Sequence, residues 1–344
     1  MHERLSAAIF KVLLLAGIVL QGGCSTAVFH FDRAALPDAK PWTSEDFQND
    51  PGIFQFAVIG DRTGGADHRG VFDRAMDQLN LLQPEFVINV GDLIEGYTED
   101  RAKLTAEWDE VEGMIEKLEM PFIYTVGNHD LNNDTMKRVW LERRGADYYH
   151  FVYREVLFLV LNSEDPPNPA PEGIEESIEL YNKLQVEDPE RAQAMLDEFM
   201  ATVEESFRVP ANFSDQQVAY IKKALAQNAD VRWTFAFLHQ PAWENPSESF
   251  LAIEQLLEDR DYTFIAGHLH YYDIDERFGR DYITMGPAGA SFHHEGPGNV
   301  DHILWVTMNE DGPRIAKITL DGIYDRRGRD LELKDLYDRE GGGR

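Results

Sequence analysis

Five times along this chain an apolar, β-branched or aromatic run stops at a polar step: Gly60-Asp61-Arg62, Gly91-Asp92, Gly127-Asn128-His129-Asp130, His239 and Gly267-His268-Leu269-His270. Short apolar runs bounded by turn residues read as buried strands. Carboxylate, amide and imidazole groups are therefore set repeatedly where strands end. That pattern constrains the chain to a sheet whose strand ends converge, which is how a metal site is built on a sheet.

Read in order, Phe54 to Ile59 is a buried strand, and Val71 to Leu82 carries Phe72, Met76 and Leu79 at helical spacing. Glu85 to Val90 is a second strand, Ala102 to Leu118 a helical stretch, and Pro121 to Val126 a third strand. This strand, loop, helix alternation implies a parallel α/β layer with its site at the carboxyl edge. Phe151 to Asn162 reads as half of a hairpin, and Arg232 to Leu238 and Asp261 to Ala266 supply two more strands. Tyr282 to Thr284 and Ile303 to Met308 read as strands of a second sheet, with Asp301-His302 starting a strand at the sheet edge. Between Glu164 and Phe213 a proline-rich opening leads into acidic sequence bearing Leu and Met at helical spacing. So long an interruption between core elements is a lid, an interaction surface or a lineage-specific insert, and a helical insert near the site mouth is expected. Ser214 then caps another helix.

With 344 residues and 43% hydrophobic content the chain can bury the core of one large domain. The formal net charge of −30 argues against a nucleic-acid-coating surface or a polybasic membrane patch. It leaves room for a phosphorylated substrate, because bound metal ions reverse the local sign. The acidic clusters over 164–205 and 325–340 read as solvated helix faces and a tail. At the start, Arg4 and Lys11 flank a polar beginning, Val12 to Leu20 is a nine-residue apolar stretch, and Gly22 and Gly23 precede Cys24. Nine residues are too few to span a bilayer as a helix. The segment resembles a bacterial lipoprotein signal with Gln21 where that pattern usually has Leu. The resemblance implies export to the periplasm or cell surface and a membrane anchor through a lipid on Cys24. Cys24 is the sole cysteine, so an intrachain disulfide and a thiolate cluster are both excluded.

In their order and spacing, Gly60-Asp61, Gly91-Asp92, Gly127-Asn128-His129-Asp130, His239 and Gly267-His268-Leu269-His270 resemble the calcineurin-like metallophosphoesterase superfamily over roughly Gln55 to Met308. The resemblance implies a four-layer αββα sandwich, two central mixed sheets flanked by helices. It also implies two divalent ions (manganese, iron, magnesium or zinc) and cleavage of a phosphomonoester or phosphodiester by metal-bound hydroxide. By the same resemblance Asp92 bridges the ions, Asn128, His239 and His268 complete one site, and Asp61 and His270 bind the other. His129 would stabilise the transition state or protonate the leaving oxygen, with Asp130 orienting its imidazole.

The first motif departs from the family. Asp-any-His is replaced by Asp61-Arg62-Thr63, which removes an imidazole ligand. Glu95 is the preferred substitute, with Tyr97 and His68 as further candidates and a weak or unfilled first site as the alternative. A carboxylate there favours harder ions. Arg62, beside Gly64-Gly65, is a candidate clamp for a phosphate oxygen, against a turn in which it pairs with an acid such as Glu95. Gly286 to Ala290 with His293 and His294 forms a loop that could line the pocket. The expected organisation is a signal peptide over 1–23, a linker over 24–54, a domain over 55–325 with its insert at about 164–213, and a polar tail over 326–344. The competing expectation is a binding lipoprotein that keeps the fold without turnover.

Overall fold

Alternation inside the first strand sorts its side chains onto two faces. In β1 (Phe54–Ile59), Phe54, Phe56 and Val58 enter one apolar layer while Ala57 and Ile59 enter another. The period of two does the same in β5 (Val156–Val160), where Val156, Phe158 and Val160 face the first layer and Leu157 and Leu159 a third. Strands buried on both faces read as continuous apolar runs, and they need a cover on each side.

The computed structural model describes residues 50–63, 67, 69–203, 210–293, 296 and 298–323. The signal segment, Cys24, the linker as far as residue 49, Gly64-Gly65, His68, His294 and the 326–344 tail lie outside the described residues. All the elements below belong to one unit beginning at Gly52.

Two sheets stack. The first has the order β11-β10-β1-β2-β3, made of β1, β2 (Val87–Asn89), β3 (Phe122–Ile123), β10 (His302–Asn309) and β11 (Gly312–Thr319). The second has the order β4-β5-β6-β7-β9-β8, made of β4 (Tyr149–Tyr153), β5, β6 (Trp233–Phe237), β7 (Tyr262–Ala266), β8 (Asp273–Arg277) and β9 (Arg280–Thr284). Within them β1, β2 and β3 run parallel, as do β5, β6, β7 and β9, and the remaining pairings are antiparallel. Between the sheets lies a phenylalanine cluster: Phe56 stacks on Phe86 at 5.1 Å and meets Phe158 edge-on at 5.3 Å. Each such buried ring contributes roughly 1.5–3 kcal/mol of transfer free energy.

Helices α1 (Val71–Leu82), α2 (Arg101–Ile115) and α3 (Asp134–Arg144) cover the outer face of the first sheet through Phe72, Met76, Trp108 and Trp140. Helices α6 (Asp215–Gln227) and α7 (Glu248–Leu257) cover the second through Ile221, Phe250 and Ile253. The result is the four-layer αββα sandwich. Helices α3 and α6 start at side-chain caps: Asn133 accepts from Thr135 and Met136 N–H, and Ser214 from Gln217 N–H.

Two sheet assignments need correction. Ile303 to Met308 belongs not with Tyr282 to Thr284 but beside β1, with Phe54 opposite Met308. His302 opens β10, which is flanked on both sides rather than sitting at an edge. Alternation identifies the face a residue takes, not the strand it pairs with. The segment between β5 and α6 folds as α4 (Ile174–Glu187) and α5 (Pro189–Val203). No helix among the described residues is long and apolar enough to cross a membrane.

Candidate metal centre

The carboxyl ends of strands from both sheets deliver the polar cluster. Asp61 follows β1, Asp92 follows β2, and Asn128 and His129 come from the loop after β3, while His239 follows β6 and His268 and His270 follow β7. Buried Asn89 extends the β2–β3 pairing past the end of the ladder, its Oδ1 accepting from Thr125 N–H at 2.7 Å. The two loops then touch at glycines. Gly91 has φ +102°, and a Cβ on Gly127 would lie 2.2 Å from Asp92 Oδ1 and 2.6 Å from Asp92 N. Asp92, His268 and His270 themselves sit at φ +56°, +70° and +54°. Left-handed backbone at non-glycine residues costs about 1–3 kcal/mol each and persists only where the surroundings over-determine it.

Two overlapping groups of donor atoms result, Asp92 with His239 and His268, and Asp61 with Asp92 and His270. Asp92 belongs to both. His239 donates from Nδ1 to the Val90 carbonyl (2.8 Å) and His270 from Nδ1 to the Ser291 carbonyl (2.5 Å), so in each ring Nε2 is the atom left for a ligand role. Around His239 Nε2 converge Asn128 Oδ1 at 2.9 Å, Asp92 Oδ2 at 3.1 Å and His268 Nδ1 at 3.2 Å. One proton cannot serve three acceptors. Asp61 Oδ2 is buried with no hydrogen-bond partner. A buried carboxylate oxygen without a donor and a knot of facing lone pairs suit a cation, and an oxygen and imidazole donor set is one that divalent first-row ions and magnesium accept.

The electrostatics agree. Burial, with the neighbouring Asp92 charge, pushes the Asp61 carboxyl up to about 7. Burial alone would raise Asp92 too, but the His239 and His129 charges outweigh it and hold that carboxyl well below the usual range. Burial drives His268 well down and His270 down to about 4, which favours the neutral imidazoles that ligate metals. At His239 burial is overcome by Asp92, and the ring is lifted to about 10. The cluster thus holds a positive charge on His239, a role a divalent ion would take over.

Four expectations are corrected or redirected. Arg62 does not reach the cluster: its guanidinium donates to the Leu93 carbonyl (2.9 Å) and pairs with Glu110 of α2 (2.5 Å), not with Glu95. Asp130 does not orient His129. Its buried carboxylate instead accepts from the backbone N–H groups of Asp92, Leu93 and Gly127 at 2.8–2.9 Å, tying the two loops together. His129 donates from Nδ1 to the main-chain carbonyl of Glu95 at 2.8 Å, and the Glu95 side chain belongs to neither donor group. Thr63 gives its hydroxyl to the Ile94 carbonyl at 2.7 Å. Tyr97 does reach in, as an acceptor: Asn128 Nδ2 donates to its hydroxyl at 2.8 Å, which turns Asn128 Oδ1 toward His239.

Asp92, Asn128, His129, His268 and His270 form the floor of a cavity of about 250 Å³. Sequence reasoning passed over Glu164 and Gln240 on its walls, whereas His293, expected on a loop that lines the pocket, does line it. Glu164 is buried, accepts from Gln240 Nε2 at 2.6 Å, and is pushed up to about 7 chiefly by burial. Its signal was present, since Asn162-Ser163-Glu164 ends the apolar run of β5 just as the ligand motifs end theirs. The His293 ring stacks on His270 at 3.9 Å.

A family model described as calcineurin-like phosphoesterase matches residues 54–272, well over half of the chain. Serine/threonine-protein phosphatase CPPED1 of Pongo abelii is 30% identical over 169 residues, covering 42% of this chain and 52% of that protein. The Homo sapiens protein of the same name gives the same identity and coverage. The chain spans about half the length of these curated relatives. Among solved structures, a dimetal phosphatase from Danio rerio covers 78% of this chain and 99% of its own, at 15% identity and a TM-score of 0.50. It shares the fold.

Proposed function

The chain belongs to the calcineurin-like phosphoesterase family, and on that premise we propose that it is a metal-dependent hydrolase of phosphomonoesters or phosphodiesters. The observation that carries this reading is the pair of donor groups sharing Asp92, whose members Asp92, His268 and His270 line one cavity together with His129. Asp92, Asn128, His239 and His268 would hold one ion, and Asp61, Asp92 and His270 the other. Bound there, such a pair supplies a hydroxide nucleophile from water at neutral pH and neutralises the phosphoryl oxygens.

The chain's own residues prepare the rest. Nδ1 of His129 is committed to the Glu95 carbonyl, so Nε2 is the atom that gives a proton to the leaving oxygen. Positioned proton transfer of this kind contributes about 10²–10⁴-fold. The Tyr97 hydroxyl fixes the Asn128 amide, and Asp130 fixes the loop carrying Asp92. The N-terminal segment supports export and a lipid anchor at Cys24, on the outer side of a membrane. A second reading, a binding protein with a weak first site, draws on one observation: Thr63 is turned to Ile94, leaving the Asp61 group three protein donors.

The test is hydrolysis of nitrophenyl phosphate and bis(nitrophenyl) phosphate by metal-stripped protein titrated with manganese. His129→Ala should lose about 10²–10³-fold in turnover and keep its metal content, whereas Asp92→Ala should lose both. Full turnover in both variants would defeat the proposal. Uptake of a single ion with no turnover on either ester would favour the binding protein.

A further inference from the structure

The floor and the roof of the cavity have opposite chemistry. Against the polar floor, α4 and α5 contribute Ile174, Ile178, Tyr181, Met195, Leu196 and Phe199. Among the described residues lining the cavity there is neither lysine nor arginine. Leu196 and Ala192, at 8% and 3% exposure, are buried on a helix whose other described residues carry its acidic groups toward solvent.

The roof is tied down over the floor. Lys103 of α2 pairs with Glu175 (3.0 Å) and Glu179 (2.6 Å) of α4. The Tyr181 hydroxyl donates to Ser291 Oγ at 3.1 Å, and the carbonyl of the same Ser291 receives His270 Nδ1. One residue therefore links an aromatic ring of the roof to a candidate ligand of the floor.

Resting on the phosphoesterase reading, we propose that the substrate is a small phosphoester whose non-phosphoryl part is apolar, an alkyl or aryl group seated under α4 and α5. Such a pocket rewards each methylene removed from water. Among its described lining residues it offers no lysine or arginine to a second phosphate or a carboxylate, and a phosphorylated polypeptide would bring backbone amides against the apolar side chains of α4 and α5. Specificity in this chain then resides in the helical insert, while the strand-end residues handle the phosphoryl group that all such substrates share.

Hydrolysis-inert phosphonates test this by titration calorimetry on the full-length, manganese-loaded protein. From methyl- to butylphosphonate the Kd should tighten about threefold per methylene, or about 30-fold in all. Comparing phenyl- with butylphosphonate distinguishes an aryl from an alkyl source, and tighter binding of either than of methylphosphonate supports the inference. Leu196→Ser on α5 and, separately, Ile178→Ser on α4 should flatten the chain-length dependence; the wild-type series decides the matter even if one variant fails to fold. A flat series, or 2-aminoethylphosphonate binding more tightly than propylphosphonate, overturns this inference alone. Failure of methylphosphonate to bind at all overturns the phosphoesterase reading, and this one with it.

Discussion

Gly127→Ala adds one methyl group at the narrowest point of the candidate centre. The new Cβ would stand 2.2 Å from Asp92 Oδ1 and 2.6 Å from Asp92 N. Reaching ordinary contact requires a displacement of about 1 Å, and the backbone atom leaves no rotamer escape. The displaced oxygen also accepts from His129 N–H at 2.9 Å, so the shift strains a hydrogen bond worth about 1 kcal/mol. With overpacking at about 1–3 kcal/mol, the expected loss of stability is about 3 kcal/mol, or roughly 5 °C in Tm for a unit of this size. A misplacement of about 1 Å in a catalytic constellation costs on the order of 10²-fold in rate. Turnover of nitrophenyl phosphate at saturating manganese and thermal unfolding by circular dichroism should be read on the same preparation. A variant that keeps turnover within threefold of the parent at saturating manganese would refute the close contact as a determinant of the site.

Arg62→Met should lower stability by about 1–3 kcal/mol, because it strands the buried Leu93 carbonyl, while kcat/KM changes by less than about threefold; a loss on the scale of the rate factor of about 10² would restore Arg62 as a phosphate clamp. The pH dependence has a definite sign. Asp61, raised to about 7, and His239, raised to about 10, contribute stability that is fully present below their unfolded values of 3.8 and 6.5 and is lost as pH rises through the folded ones. Above about pH 7, where the depressed His268 and His270 are neutral in both folded and unfolded chains, metal-stripped protein should therefore become less stable up to about pH 10, and manganese should flatten the decline; denaturant titrations showing a rise over that interval would contradict it. Phe158→Ala, which empties the centre of the inter-sheet cluster where Phe158 meets Phe56, Phe86 and Phe235, should cost about 3–5 kcal/mol with little change in KM, and a cost below 1 kcal/mol in chemical unfolding would show that the layer is not close-packed.

What could be read from the residues and what could not divides along physical lines. The bounds of β1 and α1 were visible because apolar spacing is a local signal, and the structure has them at Phe54–Ile59 and Val71–Leu82. Helix α3 was not, since it buries only Met136, Val139 and Trp140 amid charge. Partner choice was the other gap. Asp92, His239 and His268 could be grouped because each ends a strand, but the choice between a phosphate clamp and an acid pair for Arg62, and the donors that Asp130 serves, depend on where Glu110 and the Gly91 loop arrive in three dimensions. Glu164 was absorbed into the acidic insert, its burial invisible until the loop after β5 was seen to turn inward.

Three imidazoles of the cluster, those of His129, His239 and His270, share a habit: each gives its Nδ1 hydrogen to a main-chain carbonyl, at Glu95, Val90 and Ser291. A carbonyl of the main chain is common to every residue type. No single-codon change at 95, 90 or 291 can delete these acceptors while the backbone keeps its path. The tautomer of each ring is thus inherited with the fold rather than with any particular side chain.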